Sequence, residues 1–221
     1  MIVLNKQAPL KHIPARWLCL IAGLSIMAFG VAFSIKAALG TSPISSLPYV
    51  TSRISGLSTG TTTILVNLIF VLLQILILRK QFEWFQLLQI PAVIVFGMMI
   101  DAGSFVIQGI SYDTYLQQWL LCIIGILLVS LGVSIEVMAK LVTTPGEGLV
   151  LSVCKVLPVK FANMKVALDV TLVCLSILTS LLFLGHLEGV REGTLAAAVC
   201  VGLFTKQFRK PVSRFEETFL M

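Results

Sequence analysis

The chain has 221 residues, 57% of them hydrophobic and 12% charged, with mean hydropathy +1.01 and net charge +6. A soluble domain carries about 25% charged residues, so this composition excludes one and predicts an all-α integral membrane protein. The sixteen Lys and Arg sit mainly in short loops and at the two ends, where they orient a membrane protein and point to no nucleic-acid partner.

A membrane helix needs roughly 20 apolar residues. In chain order, stretches of that kind are expected at 17–39, 61–78, 87–109, 118–139, 164–184 and 188–205. The last is the shortest. With the N-terminus inside, thirteen basic residues fall inside: Lys6, Lys11, Arg16, Arg79, Lys80, Lys140, Lys155, Lys160, Lys165, Lys206, Arg209, Lys210 and Arg214. Only Lys36, Arg53 and Arg191 fall outside. Moving the span count by one scrambles this bias, so it predicts six spans with both termini cytoplasmic. The basic start followed by an apolar run resembles a signal peptide, but the run is too long for one, so cleavage is not expected.

Slid against itself by 102 positions, the chain matches Trp17 to Trp119, Gly23 to Gly125, Gly30 to Gly132, Thr41 to Thr143 and Pro43 to Pro145. Asn67 falls on Asp169, and Arg53 on Lys155. The register holds without a gap for about sixty residues, which leucine-rich composition alone does not produce. The expected organisation is a cytoplasmic segment 1–16, a first repeat 17–110, a second repeat 118–205 and a basic tail 206–221. Three spans per unit is an odd number, so the second copy enters the membrane from the opposite side. Such inverted 3+3 repeats recur among secondary transporters. Small residues (Gly23, Gly30 and Ser34; Gly125, Gly132 and Ser134) line the first and fourth spans, as close helix packing requires.

The matched inserts 40–60 and 142–162 each place a hydroxyl residue before a proline and a moderately apolar run of about ten residues. Ser42 and Thr144 suit the N-cap of a helix whose first residue is Pro43 or Pro145. Ten residues cannot span, so each insert is either a re-entrant half-helix with its N-terminus near a cavity or a flat interfacial helix. Glu147 stands at capping-box spacing from Thr144 and is open to either a capping or a substrate role. Its counterpart Ser45 carries no charge.

Ionisable residues at depth are expensive and mark candidate sites. Asp169, about five residues into the fifth span, is the first candidate for substrate binding or proton coupling, with Asn67 as its symmetry mate. Lys165, one turn earlier, offers it an alternative as an ion-pair partner. Glu136 stands one turn before Lys140 and admits a similar choice. Asp101 has no basic neighbour in sequence and reads as the end of the third apolar segment. The five cysteines are scattered, both histidines isolated, and no Walker loop, dinucleotide fingerprint, HExxH or Ser/His/Asp arrangement occurs. No cofactor, metal or catalysis is expected.

The segments ALGTSPISSLP, TTPGEG and REGTLAAA (191–198) resemble the YitT/YczE-like family of bacterial membrane proteins over nearly the whole chain. The resemblance implies a multi-span fold in a bacterial cytoplasmic membrane and carries no established activity or site residues. The expected function is transport of a small solute by alternating access, with protons as the favoured coupling ion. The alternatives are a binding subunit served by a separate ATPase, or a non-transporting assembly protein. Besides the lipid bilayer, the expected partners are an unknown solute, a second copy, or such an ATPase.

Overall fold

The computed structural model describes residues 13–219, without the side chains at 210 and 214–219. Lys6 and Lys11, counted above toward the orientation, lie outside the described residues, as do the side chains of Lys210 and Arg214. Eight α-helices make up the described chain: α1 (Ile13–Lys36), α2 (Pro43–Ser55), α3 (Thr59–Leu78), α4 (Gln89–Val106), α5 (Tyr115–Ala139), α6 (Pro145–Val156), α7 (Phe161–Leu184) and α8 (Glu192–Phe219). Two short 3-10 turns join α3 to α4.

Local chemistry sets these boundaries. Pro43 and Pro145 start α2 and α6, behind Ser42 and Thr144 in extended conformation. Thr114 and Gln117 form a complete capping box at the start of α5. Gly56, at φ +72°, closes α2 by donating its N–H to the Ser52 carbonyl. A glycine is suited there because the left-handed region costs other residues about 1–2 kcal/mol. Even so, Ala38 and Lys140 both adopt positive φ, +55° and +52°, just past α1 and α5. They are equivalent positions at the 102-residue offset, so both halves turn the same corner in the same strained way.

The offset holds for the whole helix order. It carries Ile13 onto Tyr115, Pro43 onto Pro145 and Thr59 onto Phe161, each the first residue of a helix, and places Gln89 one residue before the start of α8. Helices α1 and α5 cross in close antiparallel contact. A Cβ on Gly23 would lie 3.0 Å from the Gly132 carbonyl oxygen, and one on Gly30 would lie 2.8 Å from that of Gly125. The contact of 23 with 132 is the symmetry image of the contact of 30 with 125. In lipid, helices gain little from burying apolar surface against each other, so such small-residue approaches hold the pair.

Among the described residues, five stretches are long and apolar enough to cross a membrane: Ile13–Lys36, Thr59–Gln81, Trp84–Val106, Tyr115–Ala139 and Phe161–Leu184. The sixth expected span, 188–205, is not among them. Helix α8 starts only at Glu192, and charge returns at Lys206, leaving thirteen uncharged residues between them. That is about 20 Å at helical rise, against about 30 Å of hydrocarbon. The helix also continues unbroken past 205 to Phe219 with Pro211 inside it, so the tail expected from 206 begins as part of α8.

Packing divides the helices into two groups. Helices α4 and α8 pack on α1 and α5, while α2 and α6 pack on both α3 and α7. Each group holds both copies of two helices. The groups meet along α3 and α4, whereas α7 and α8 make almost no contact among the described residues. Of the helix pairs equivalent at the 102-residue offset, these two differ most.

Candidate functional site

Between the two groups lies a cavity of about 360 Å³. Leu20, Leu24, Met27, Val93, Phe96 and Val129 form an apolar wall on the α1/α4/α5 side. All nine candidates named from the sequence line this cavity: Ser42, Pro43, Ser45, Asn67, Glu136, Thr144, Pro145, Glu147 and Asp169. They arrive from α2, α3, α5, α6 and α7, so only the fold brings them together.

The tips of α2 and α6 meet here. A Cβ on Gly146 would run into the end of the Ile44 side chain, and these two positions are equivalent at the repeat offset. Neither cap side chain accepts from a backbone N–H of its own helix. Ser42 instead donates from its hydroxyl to the Ser45 Oγ at 3.0 Å. The Thr144 N–H donates to Glu136 Oε1 at 2.7 Å. Glu136, 4% exposed, caps α6 from the end of α5. Glu147 consequently does not close the capping box that its spacing suggests, because the N–H it would accept is already taken.

Asp169 and Lys165 form the ion pair that was its alternative role, with Nζ 2.8 Å from Oδ1 and both side chains partly accessible. Glu147 is different. Among the described residues it has neither a hydrogen-bond nor an ion-pair partner, and burial pushes its carboxyl above the ordinary range. Lys165 opposes that shift and Asp169 adds to it. Asn67, 8% exposed, donates from Nδ2 to the Thr63 carbonyl at 2.8 Å, and no donor among the described residues reaches its side-chain oxygen.

Two polar clusters outside the candidate list fix the frame. Gln74 and Gln89, 1% and 2% exposed, exchange amide hydrogen bonds of 3.2 Å, and Gln74 also donates to the Pro145 carbonyl at 3.0 Å. This ties α3, α4 and the tip of α6 at one end of the cavity. At the other end Asp101, on α4, clasps the start of α3. It accepts from the Ser58 hydroxyl at 2.6 Å and from the Gly60 N–H at 2.7 Å. Gly60 packs directly on the Gly97 carbonyl beside it. Asp101 therefore does more than end an apolar segment, as read from sequence. The equivalent positions of Ser58, Gly60, Gly97 and Asp101 are Lys160, Ala162, Val199 and Leu203. Among the described residues the second half has no such clasp, and that is where α7 and α8 separate.

A loop cluster closes the opposite end of α7. Glu188 accepts from the Tyr49 hydroxyl at 3.1 Å and from Arg53 Nε at 2.8 Å, and its N–H donates to Ser180. Burial, then the Glu188 carboxylate, push the Tyr49 phenol up to about 12, so it stays a proton donor. This cluster ties the loop between α7 and α8 to α2, whereas Lys165 and Thr205, nearer the other end of the two helices, line the cavity.

A family model described as a family of unknown function, DUF6198, matches residues 14–210. Two proteins of Bacillus subtilis (strain 168) are similar. One, named uncharacterized protein YyaS, is 31% identical over 130 residues, 58% of this chain and 63% of that protein. The other, named uncharacterized membrane protein YczE, is 29% identical over 142 residues, 64% of each. The chain therefore matches less than two thirds of either relative's length. No solved structure matches.

Proposed function

The chain belongs to the DUF6198 family of unknown function, as its resemblance to YitT/YczE-like membrane proteins anticipates, and from that premise we propose that it is a small-solute secondary transporter rather than an enzyme. The protein is a helical membrane protein in contact with the lipid bilayer. In the proposed architecture α8 completes six spans, and the two halves are inverted copies with both termini on the cytoplasmic side of a bacterial inner membrane. The antiparallel crossing of α1 with α5, its helix in the other repeat, supports the inversion. The basic residues of the N-terminal segment, the 79–80 turn and the end of α8 support the orientation.

One observation carries the reading. A cavity lies between two helix groups, each built from both repeats, and one of two equivalent helix pairs is closed while the other is parted. Two unequal conformations of equivalent halves are what alternating access requires. Exchanging the conformations would close α7 on α8, part α3 from α4 beyond the Asp101 clasp, and present the cavity to the other side. The tips of α2 and α6 are buried while Arg53 and Ile54, and Lys155 and Val156, at their far ends are exposed. That gradient favours re-entrant helices over flat ones.

Thermal unfolding of the purified protein against a metabolite panel tests the binding step. A ligand of the folded state stabilises by about 2.7 kcal/mol at a hundred times its Kd. The expected result is a stabilising compound that the protein alone accumulates in proteoliposomes, with both effects lost in Asp169→Asn. Binding without uptake would instead favour the subunit of a larger transporter, and no ligand effect at all would favour an assembly role.

A further inference from the structure

We propose that the solute of this cavity is an organic cation: an ammonium group held by Glu147 and the Asn67 side-chain oxygen, on an apolar body seated against Leu24, Met27 and Phe96. The inference rests on the transporter reading and names the class of its substrate. Three carboxylates line the cavity, Glu136, Glu147 and Asp169, against one ammonium, Lys165. Lys165 is engaged by Asp169, and Glu136 by the Thr144 N–H. The helix tips act in the opposite sense, each contributing about half a positive charge. With all carboxylates ionised they do not cancel the two that Lys165 leaves uncompensated, and the α6 tip already faces Glu136. An anionic solute would meet Glu147 and Asp169 with no free cation among the lining residues.

Hydrogen-bonding capacity points the same way. Asn67 and Glu147 both present acceptors to the cavity that no described donor satisfies, and both suit an N–H-bearing cation. The wall contributed by Leu20, Leu24, Met27, Val93, Phe96 and Val129 is apolar with one aromatic face, Phe96, which suits a hydrocarbon body. The charged groups facing Glu147 are Glu136 from α5 and Lys165 and Asp169 from α7. The lining residues of α1, α3, α4 and α8 carry no charge. A proton on Glu147 and the cation therefore compete for one carboxylate, and binding of the cation releases a proton.

The test measures binding of 2-phenylethylammonium, 2-phenylethanol and 3-phenylpropionate to the full chain in lipid nanodiscs. These probes share a body and differ in charge. The expected order has the cation at least tenfold tighter than either of the others, weakening as pH falls. Glu147→Gln should lose that preference and Glu147→Asp, which keeps the charge, should retain it, separating a lost contact from a misfolded protein. Tighter binding of the neutral or anionic probe, or a cation preference that survives Glu147→Gln, overturns the proposal. Uptake of an anionic or neutral solute by proteoliposomes would overturn it while leaving the transporter reading in place. Absence of both binding and uptake would count against both.

Discussion

Asp101→Leu is expected to part α3 from α4 and expose Asn67 to solvent from the end that the wild type keeps shut. The substitution installs the residue found at the equivalent position, Leu203, and so removes the clasp that only the first half has. Two hydrogen bonds to a charged acceptor are lost, those from Ser58 and Gly60. Each is worth about 1.5–3 kcal/mol when sheltered, and Asp101 is only partly buried, so a net shift of about 2 kcal/mol is a fair expectation. That corresponds to roughly a thirtyfold change in the ratio of closed to open α3–α4 ends. The readout is labelling of Asn67→Cys by a membrane-impermeant thiol reagent, in protein whose five native cysteines are replaced. Equal labelling with and without the Asp101 substitution would show that the clasp holds nothing shut.

The second large effect lies at the α1–α5 crossing. Gly30→Leu would place its Cβ 2.7 Å from the Val129 nitrogen and 2.8 Å from the Gly125 carbonyl oxygen. Gly132→Leu would meet the Gly23 carbonyl oxygen at 2.6 Å. These neighbours are backbone, which cannot swing aside, so each change forces the helices apart. The cost is about 3 kcal/mol or more, the upper part of the overpacking range. Because the two contacts are symmetry images, the losses should be similar. Gly109→Ala, where nothing lies within 4 Å, serves as the control and should leave the unfolding midpoint in place. A Gly30→Leu protein as stable as wild type would mean that α1 and α5 do not pack this closely.

Much of this architecture is legible in the chain because it rests on local signals. Apolar run length marks α1, α3, α4, α5 and α7, and the hydroxyl–proline pairs mark the starts of α2 and α6. The single 102-residue offset relates the helices of the two halves, and through Asn67 and Asp169 it points to residues that share the cavity. What it hides depends on contacts between distant elements. The capping-box spacing of Glu147 is sound local reasoning, but Glu136 reaches the same N–H from the preceding helix and wins. Asp101 looks unpartnered because its donors lie 41 and 43 residues away. Its importance shows only when the two halves are compared position by position and the second is found to lack the clasp. The span expected at 188–205 rests on the shortest of the six apolar runs, and α8 is too briefly apolar to stand as a span on composition alone.

In the proposed transport cycle two equivalent helix pairs exchange closed and parted conformations. Spin-label distance measurements on the protein in nanodiscs address it most directly, using Leu57 with Phe105 and Val159 with Gln207. These are equivalent pairs, all four exposed, reporting the clasped end of α3–α4 and the free end of α7–α8. A short distance is expected for the first pair and a long one for the second, with the order reversed in a population that grows in Asp101→Leu. Distances that stay fixed in both pairs, or that lengthen together, would contradict it.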